Sequence, residues 1–174
     1  MAANNTAMLR AARPHKAQPI TMAKGASLPL EVSVGYAVRT THRAFLRVLQ
    51  ARIAPHGVSA GMWYFLRVLW IEDGLTQREL SQRIGMMEPT TVTALNNMAR
   101  RGLIRRRRNP RDKRKINIYL TARGRRLRKT LAPVAMEVNA VALQDFSTRE
   151  VDTLRRLLGR ARARLLADVG GEGG

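Results

Sequence analysis

Two sets of side chains in this chain have the types and spacing to act on a polyanion. Thr90, Thr93 and Asn97 follow one another at three and four residues, which on a helix aligns short, uncharged hydrogen-bonding groups along one face. Such groups suit base edges in a major groove, although an ordinary solvated face can carry the same residue types. A little further on, Arg105, Arg106, Arg107, Arg108, Arg111, Lys113, Arg114 and Lys115 crowd a short stretch against a single acid, Asp112. Charge packed that densely repels itself unless a counter-charge is near, and duplex phosphate supplies one.

The elements that must position these groups can be read around them. Thr76 with Glu79 three residues on predicts a capping box, and the helix it opens has Leu80 and Ile84 as its inward face. Gly85 suits the left-handed position that ends a helix. A second helix is expected to begin near Pro89, because proline is tolerated in a first turn, and to run to Gly102. Its buried stripe is expected at Val92, Leu95 and Ala99, which leaves Pro89, Thr90, Thr93 and Asn97 on the open side. Leu103 and Ile104 then start a strand, Ile116, Ile118 and Leu120 alternate along its return partner, and Asn109-Pro110-Arg111-Asp112 is turn chemistry between them. The order is helix, turn, helix and a basic hairpin.

The stretch Leu103-Ile104-Arg105-Arg106, then Asp112-Lys113-Arg114 and Leu120-Thr121, following a helix-turn-helix of this spacing, resembles the MarR family of winged-helix transcriptional regulators. The resemblance covers roughly residues 30 to 167. It implies a mainly α fold with a small β-hairpin wing (α+β), a winged helix-turn-helix over about 59–121, and dimerisation helices over about 30–54 and 122–167. It further implies a recognition helix presenting Pro89, Thr90, Thr93 and Asn97, and a wing contacting DNA through Arg106, Arg108, Arg111, Asp112, Lys113 and Arg114. By the same resemblance Arg114 enters the minor groove and Asp112 orients the wing. The chain departs from the family at Asn97, where many members carry an arginine that pairs with the wing aspartate. Lys113 or Arg114 is left as the expected partner of Asp112.

Composition bounds the alternatives. The 174 residues suffice for one domain, alone or with an appendage, and 45% hydrophobic residues can build its core. Lys and Arg number 32 against 12 Asp and Glu, for a net charge of +20 and a pI of about 11.8. A net +14 of this falls between residues 100 and 129, which points to nucleic acid as partner rather than to general solubility. No stretch approaches a membrane span or a secretory leader, so no membrane partner is expected and a cytoplasmic location is. The absence of cysteine excludes disulfides, thiolate metal sites and a thiol sensor, and His15, His42 and His56 are scattered, so no metal site and no cofactor are expected. There is no Gly-rich phosphate loop, nucleophile elbow or ligand cluster, so no catalytic residue is assigned and the chain does not read as an enzyme.

Residues 1–28 carry basic but no acidic groups and read as a disordered basic arm. A long helix from about Pro29 carries a seam at Val34, Val38, Thr41, Phe45, Val48 and Ile53 until Pro55 stops it. Ser59 caps a helix with Trp63, Leu66 and Trp70 on one face, closed by Gly74. After the wing, Thr121 caps a helix with Leu127, Leu131, Val134, Val138 and Val141 in heptad-like spacing, interrupted by Pro133, where a kink is expected. Ser147 with Glu150 opens a last helix with a seam at Val151, Leu154, Leu158, Ala161 and Leu165, before a flexible tail over 168–174. Seams at both ends of one chain call for a second copy, so a homodimer is expected.

The leading reading is a sequence-specific, homodimeric DNA-binding regulator on a near-palindromic operator. The resemblance implies a repressor released by a small aromatic or anionic effector such as an aromatic acid or its acyl thioester. His42, Arg43, Phe45, Trp63 and Tyr64 are the expected pocket, arginine for an anion and aromatics for a ring. The alternative is a non-specific basic protein, architectural or RNA-binding, for which charge alone would suffice.

Overall fold

The computed structural model describes residues 29–171, with side chains to residue 169; the expected basic arm over 1–28 lies outside the described residues. The elements are α1 (Val34–Ile53), α2 (Ala60–Ile71), β1 (Leu75–Thr76), α3 (Gln77–Ile84), α4 (Glu88–Arg100), β2 (Ile104–Arg108), β3 (Ile116–Leu120), α5 (Ala122–Ala142) and α6 (Thr148–Gly171). Two compact units divide the chain, one ending at Arg39 and the other spanning Thr40–Gly174. The described part of the first is a 3-10 turn at Leu30–Val32 and the opening of α1, with Val34 and Val38 exposed.

The second unit holds the core. Leu49 and Ile53 from α1, Met62, Trp63, Phe65, Leu66 and Leu69 from α2, Leu80, Leu95 and Met98 from the next two helices, and Leu131 and Val138 from α5 bury together over the sheet. Ser59 caps α2 by accepting from the Met62 N–H at 3.3 Å, and Thr121 caps α5 by accepting from Gly124 at 3.1 Å. The Ile53 end of α1 passes into a 3-10 turn, Ala54–His56, with Pro55 inside it. Helix α5 runs as one element through Pro133. Gly124 is a place where only glycine fits, since a Cβ there would lie 2.2 Å from the Leu103 carbonyl oxygen. That closeness lets the first turn of α5 lie on the chain entering β2, and the Gly124 carbonyl accepts from the Trp70 indole N–H at 2.9 Å.

The sheet has three antiparallel strands in the order β1-β3-β2, and β1 is an addition to the expected hairpin. Leu75 pairs with Ile118, and Thr76, which is also the N-cap of α3, pairs with Asn117. A two-residue strand has no alternation to reveal it in sequence. Its pairing ties the wing to the helix-turn-helix.

Helix α6 reaches Gly171, past the boundary expected at residue 167. No described residue of α6 is buried, although Leu154, Leu157, Leu158, Leu165 and Leu166 are on it. Among the described residues no helix is long and apolar enough to cross a membrane.

Candidate nucleic-acid interface

Helix α4, which carries Thr90, Thr93 and Asn97, is placed by its neighbour α3. At the start of α3 the Glu79 carboxylate accepts from both the Thr76 N–H and its hydroxyl at 2.7 Å, and the Thr76 oxygen accepts from the Glu79 N–H at 3.3 Å. The Thr76 backbone N–H first, and its hydroxyl second, hold the Glu79 carboxyl below the usual carboxylate range. Gly85 ends the helix in the left-handed conformation. Ser81 then pins the turn: its carbonyl accepts from Gly85 and Met86, and its hydroxyl donates to the Met86 carbonyl at 2.6 Å.

Helix α4 begins at Glu88 with Pro89 in its first turn, and ends at Arg100, short of Gly102. Its inward stripe is Thr91, Leu95 and Met98, a correction to the expected Val92, Leu95 and Ala99. Val92 is 37% exposed. Thr91 is fully buried because its hydroxyl donates to the Ser81 hydroxyl at 3.2 Å, so the polar atom enters the core with a partner and the helix turns by one residue relative to an all-apolar stripe. Pro89, Thr90 and Thr93 stay exposed and Asn97 half-buried along the outer side. These four residues, with Ala94, face Ser59, Gly61 and Met62 of the α2 start across one open groove.

The wing stands beside this face. Strands β2 and β3 pair from Ile104 with Leu120 out to Arg108 with Ile116. At the tip the Asn109 side-chain oxygen accepts from the Arg111 and Asp112 N–H groups at 2.8 and 3.1 Å, which forms the turn. Asp112 accepts from the Arg114 N–H at 3.1 Å and from its guanidinium at 3.3 Å, with Lys115 at 3.9 Å. Of the two alternatives expected for Asp112, Lys113 or Arg114, the structure has Arg114, and Lys115, three residues on, is a further cation near the carboxylate. The Arg114 side chain is still 92% exposed. Arg106, Arg108, Arg111 and Lys113 are exposed as well. The Arg106 guanidinium donates to the Asn96 side-chain oxygen at 2.8 Å, a contact that joins wing to reading helix and that spacing alone did not reveal. Asn97, where the family often has an arginine, accepts a hydrogen bond from Arg100.

The five residues expected to line an effector pocket are dispersed. Trp63 is buried, meets Trp70 edge to face with centroids 5.5 Å apart, and has the Arg67 guanidinium over its ring at 5.8 Å. It borders a groove of about 480 Å³ between α2 and α5 with Arg67, Trp70, Arg128, Met136 and Asn139. His42, Arg43, Phe45 and Tyr64 are not on that groove. His42 and Tyr64 face each other at 3.4 Å, Phe45 packs against the core and Arg43 is exposed. Arg67, Arg128 and Asn139 were missed because they converge only when α2 lies on α5.

Comparison with known proteins agrees with this geometry. The chain is 31% identical over 99 residues to the HTH-type transcriptional regulator TtmR of Methylorubrum extorquens (strain PA1), a match covering 57% of this chain and 51% of that protein. It is 32% identical over 115 residues to the HTH-type transcriptional repressor YetL of Bacillus subtilis (strain 168), covering 64% of this chain and 68% of YetL. The chain thus spans about half the length of TtmR and about two thirds of YetL. Among solved structures, the PcaV transcriptional regulator from Streptomyces coelicolor, in complex with its natural ligand, superposes with a TM-score of 0.70 at 25% identity, over 79% of this chain and 97% of that one. The MarR family model matches residues 56–115, from the turn before α2 to the wing tip. With a reading helix, a basic wing and these relatives, the chain belongs to the MarR family of winged-helix DNA-binding transcriptional regulators, proteins that read DNA rather than turn over a substrate.

Proposed function

We propose that this protein is a homodimeric repressor that reads a near-palindromic operator through Pro89, Thr90, Thr93 and Asn97 and positions itself on phosphate through the wing. The observation that carries this is the Arg106–Asn96 contact, which sets the arginine-rich hairpin and the uncharged face side by side. Short neutral donors and acceptors discriminate bases, whereas the surrounding arginines bind any duplex. The unburied apolar side chains of α6 support pairing with a second copy, and YetL, named a repressor, supports the sign of regulation. Half-sites then lie about one helical turn apart, roughly 10 bp. Genomic selection of bound duplexes followed by footprinting tests this. A palindromic footprint, and a Thr93→Ala, Asn97→Ala variant that narrows the gap between operator and random DNA, are expected. Equal affinity for all sequences in the unsubstituted protein would instead identify a non-specific architectural binder.

The effector in this reading is a small aromatic or anionic molecule, an aromatic acid or its acyl thioester. The groove beside Trp63 supports it, with an aromatic wall and two guanidinium-bearing residues, Arg67 and Arg128, at its sides. His42, Arg43 and Phe45 of α1 and Tyr64 of α2 lie off this groove and make no contact with the effector in this reading. PcaV, solved with its natural ligand, supports a ligand-responsive scheme. An effector can release DNA only by binding the released state more tightly. Aromatic acids that raise the melting temperature are therefore expected to lower operator affinity, and to lose both effects in Arg67→Ala, Arg128→Ala.

A further inference from the structure

We propose that Arg101 and Arg123 form a phosphate clamp over Gly57, beyond the end of the reading face; its assignment to duplex phosphate rests on the DNA-binding reading above. Arg101, directly after α4, donates from Nη1 to the Gly57 carbonyl at 3.0 Å. Arg123, in the first turn of α5, donates from Nη1 to the Arg101 carbonyl at 3.1 Å. Both guanidiniums face the same spot: the point where a Cβ on Gly57 would lie is 3.7 Å from Arg101 Nη1 and 3.8 Å from Arg123 Nη2. Gly57 has φ +72° and no side chain, so that spot stays open.

What sets this pair apart from the other arginines is that backbone carbonyls hold both guanidiniums at one point, with no carboxylate beside them. Arg52, Arg83, Arg114 and Arg125 each face a carboxylate within ion-pair distance. Among the described residues Arg101 and Arg123 have none. Backbone carbonyls hold the two cations in place without neutralising them. A tetrahedral oxyanion that accepts from both forks is the chemistry that completes such a site.

Its location selects the source of that oxyanion. Thr90, Thr93, Asn97 and Arg101 are spaced three, four and four residues apart, and the Arg101 N–H donates to the Asn97 carbonyl at 3.1 Å, so Arg101 continues the reading stripe. Ser59, two residues after Gly57, lines the groove that Thr90, Thr93 and Asn97 share. Phosphates of the backbone flank a groove that a helix enters, and a clamp at the end of the reading face meets one of them.

The test is a salt titration of binding to a random-sequence duplex, paired with inorganic phosphate titrated against the arginine side-chain N–H resonances of the full chain. For Arg101→Gln, Arg123→Gln we expect affinity to fall about tenfold, as for loss of a charge-assisted hydrogen bond. The slope of log K against log salt should become shallower by about 0.9 for each phosphate that the variant no longer neutralises. Arg101→Lys, Arg123→Lys should keep most of the slope. Where the double glutamine variant melts early, Arg123→Gln alone, which leaves the Arg101 bond to Gly57 intact, is read instead. A folded glutamine variant with an unchanged slope, together with phosphate that moves the Arg101 and Arg123 resonances, assigns the clamp to free phosphate. An unchanged slope with unmoved resonances overturns it. If the unsubstituted protein binds no duplex, the DNA-binding reading fails and the phosphate titration alone decides the clamp.

Discussion

The module from α2 to β3 and the helix α6 are both supplied with leucine, yet they dispose of it in opposite ways. In the module Leu66, Leu69, Leu80, Leu95, Leu103 and Leu120 are nearly inaccessible, because helices and sheet close on one another within a single chain. In α6 the leucines from Leu154 to Leu166 stay in the open. Apolar periodicity therefore announces that a face must be covered, and leaves open what covers it. The module, with α1 and α5 packed on it, covers its leucines within one chain, whereas α6 leaves its own uncovered, as the proposed pairing with a second copy requires.

The sharpest way to break this contrast is to damage each side and ask whether protein concentration matters. Phe65→Ala, at the centre of the module, should cost about 3–5 kcal/mol by cavity formation, by the same amount at every protein concentration. Leu158→Asp on α6 should leave the module folded and convert a dimer to a monomer in sedimentation, with operator affinity reduced by about tenfold or more as one half-site is lost. It should also abolish the concentration dependence of the melting temperature that an associating protein shows. An unsubstituted protein that sediments as a monomer, or a Leu158→Asp variant that remains dimeric, would remove α6 from the interface.

Finer tests work inside the module. Thr91→Val keeps the shape but removes the donor to the Ser81 hydroxyl, and should cost about 1 kcal/mol in denaturant unfolding. Operator discrimination should fall with it, since the Ser81–Thr91 bond sets the rotation of α4. Smallest is the cap. Thr76→Ala should cost about 1 kcal/mol or less and return the Glu79 titration, followed by NMR, only part of the way to the usual carboxylate range, since the backbone N–H, the larger cause, remains. The direction with pH follows from the lowered carboxyl: its stabilising contribution is complete above the unfolded-state pKa and is lost as pH falls through the lower folded-state value. Thr76→Ala should accordingly flatten the acid side of the stability profile. The second box behaves alike, with the Ser147 hydroxyl first and its N–H second holding the Glu150 carboxyl low.

Much of the architecture was legible because its signals are local. Capping boxes at Thr76 and Ser147, caps at Ser59 and Thr121, the Gly85 stop and the strand pair around the Asn109 turn each depend on residues a few positions apart, and sequence alone determined them. So too with the family and the basic wing, where density of charge is itself the message. Tertiary structure decided what depends on distant partners. The phase of α4 turned on Ser81 accepting Thr91, the strand β1 exists only because β3 pairs with it, and Arg106 found Asn96 only when the wing folded beside α4. Trp63 met Arg128 across α2 and α5, and Arg101 met Arg123 over Gly57, through contacts between residues far apart in the chain. Such juxtapositions have no period and no motif. They arise when separate apolar faces bury together and carry their polar neighbours with them.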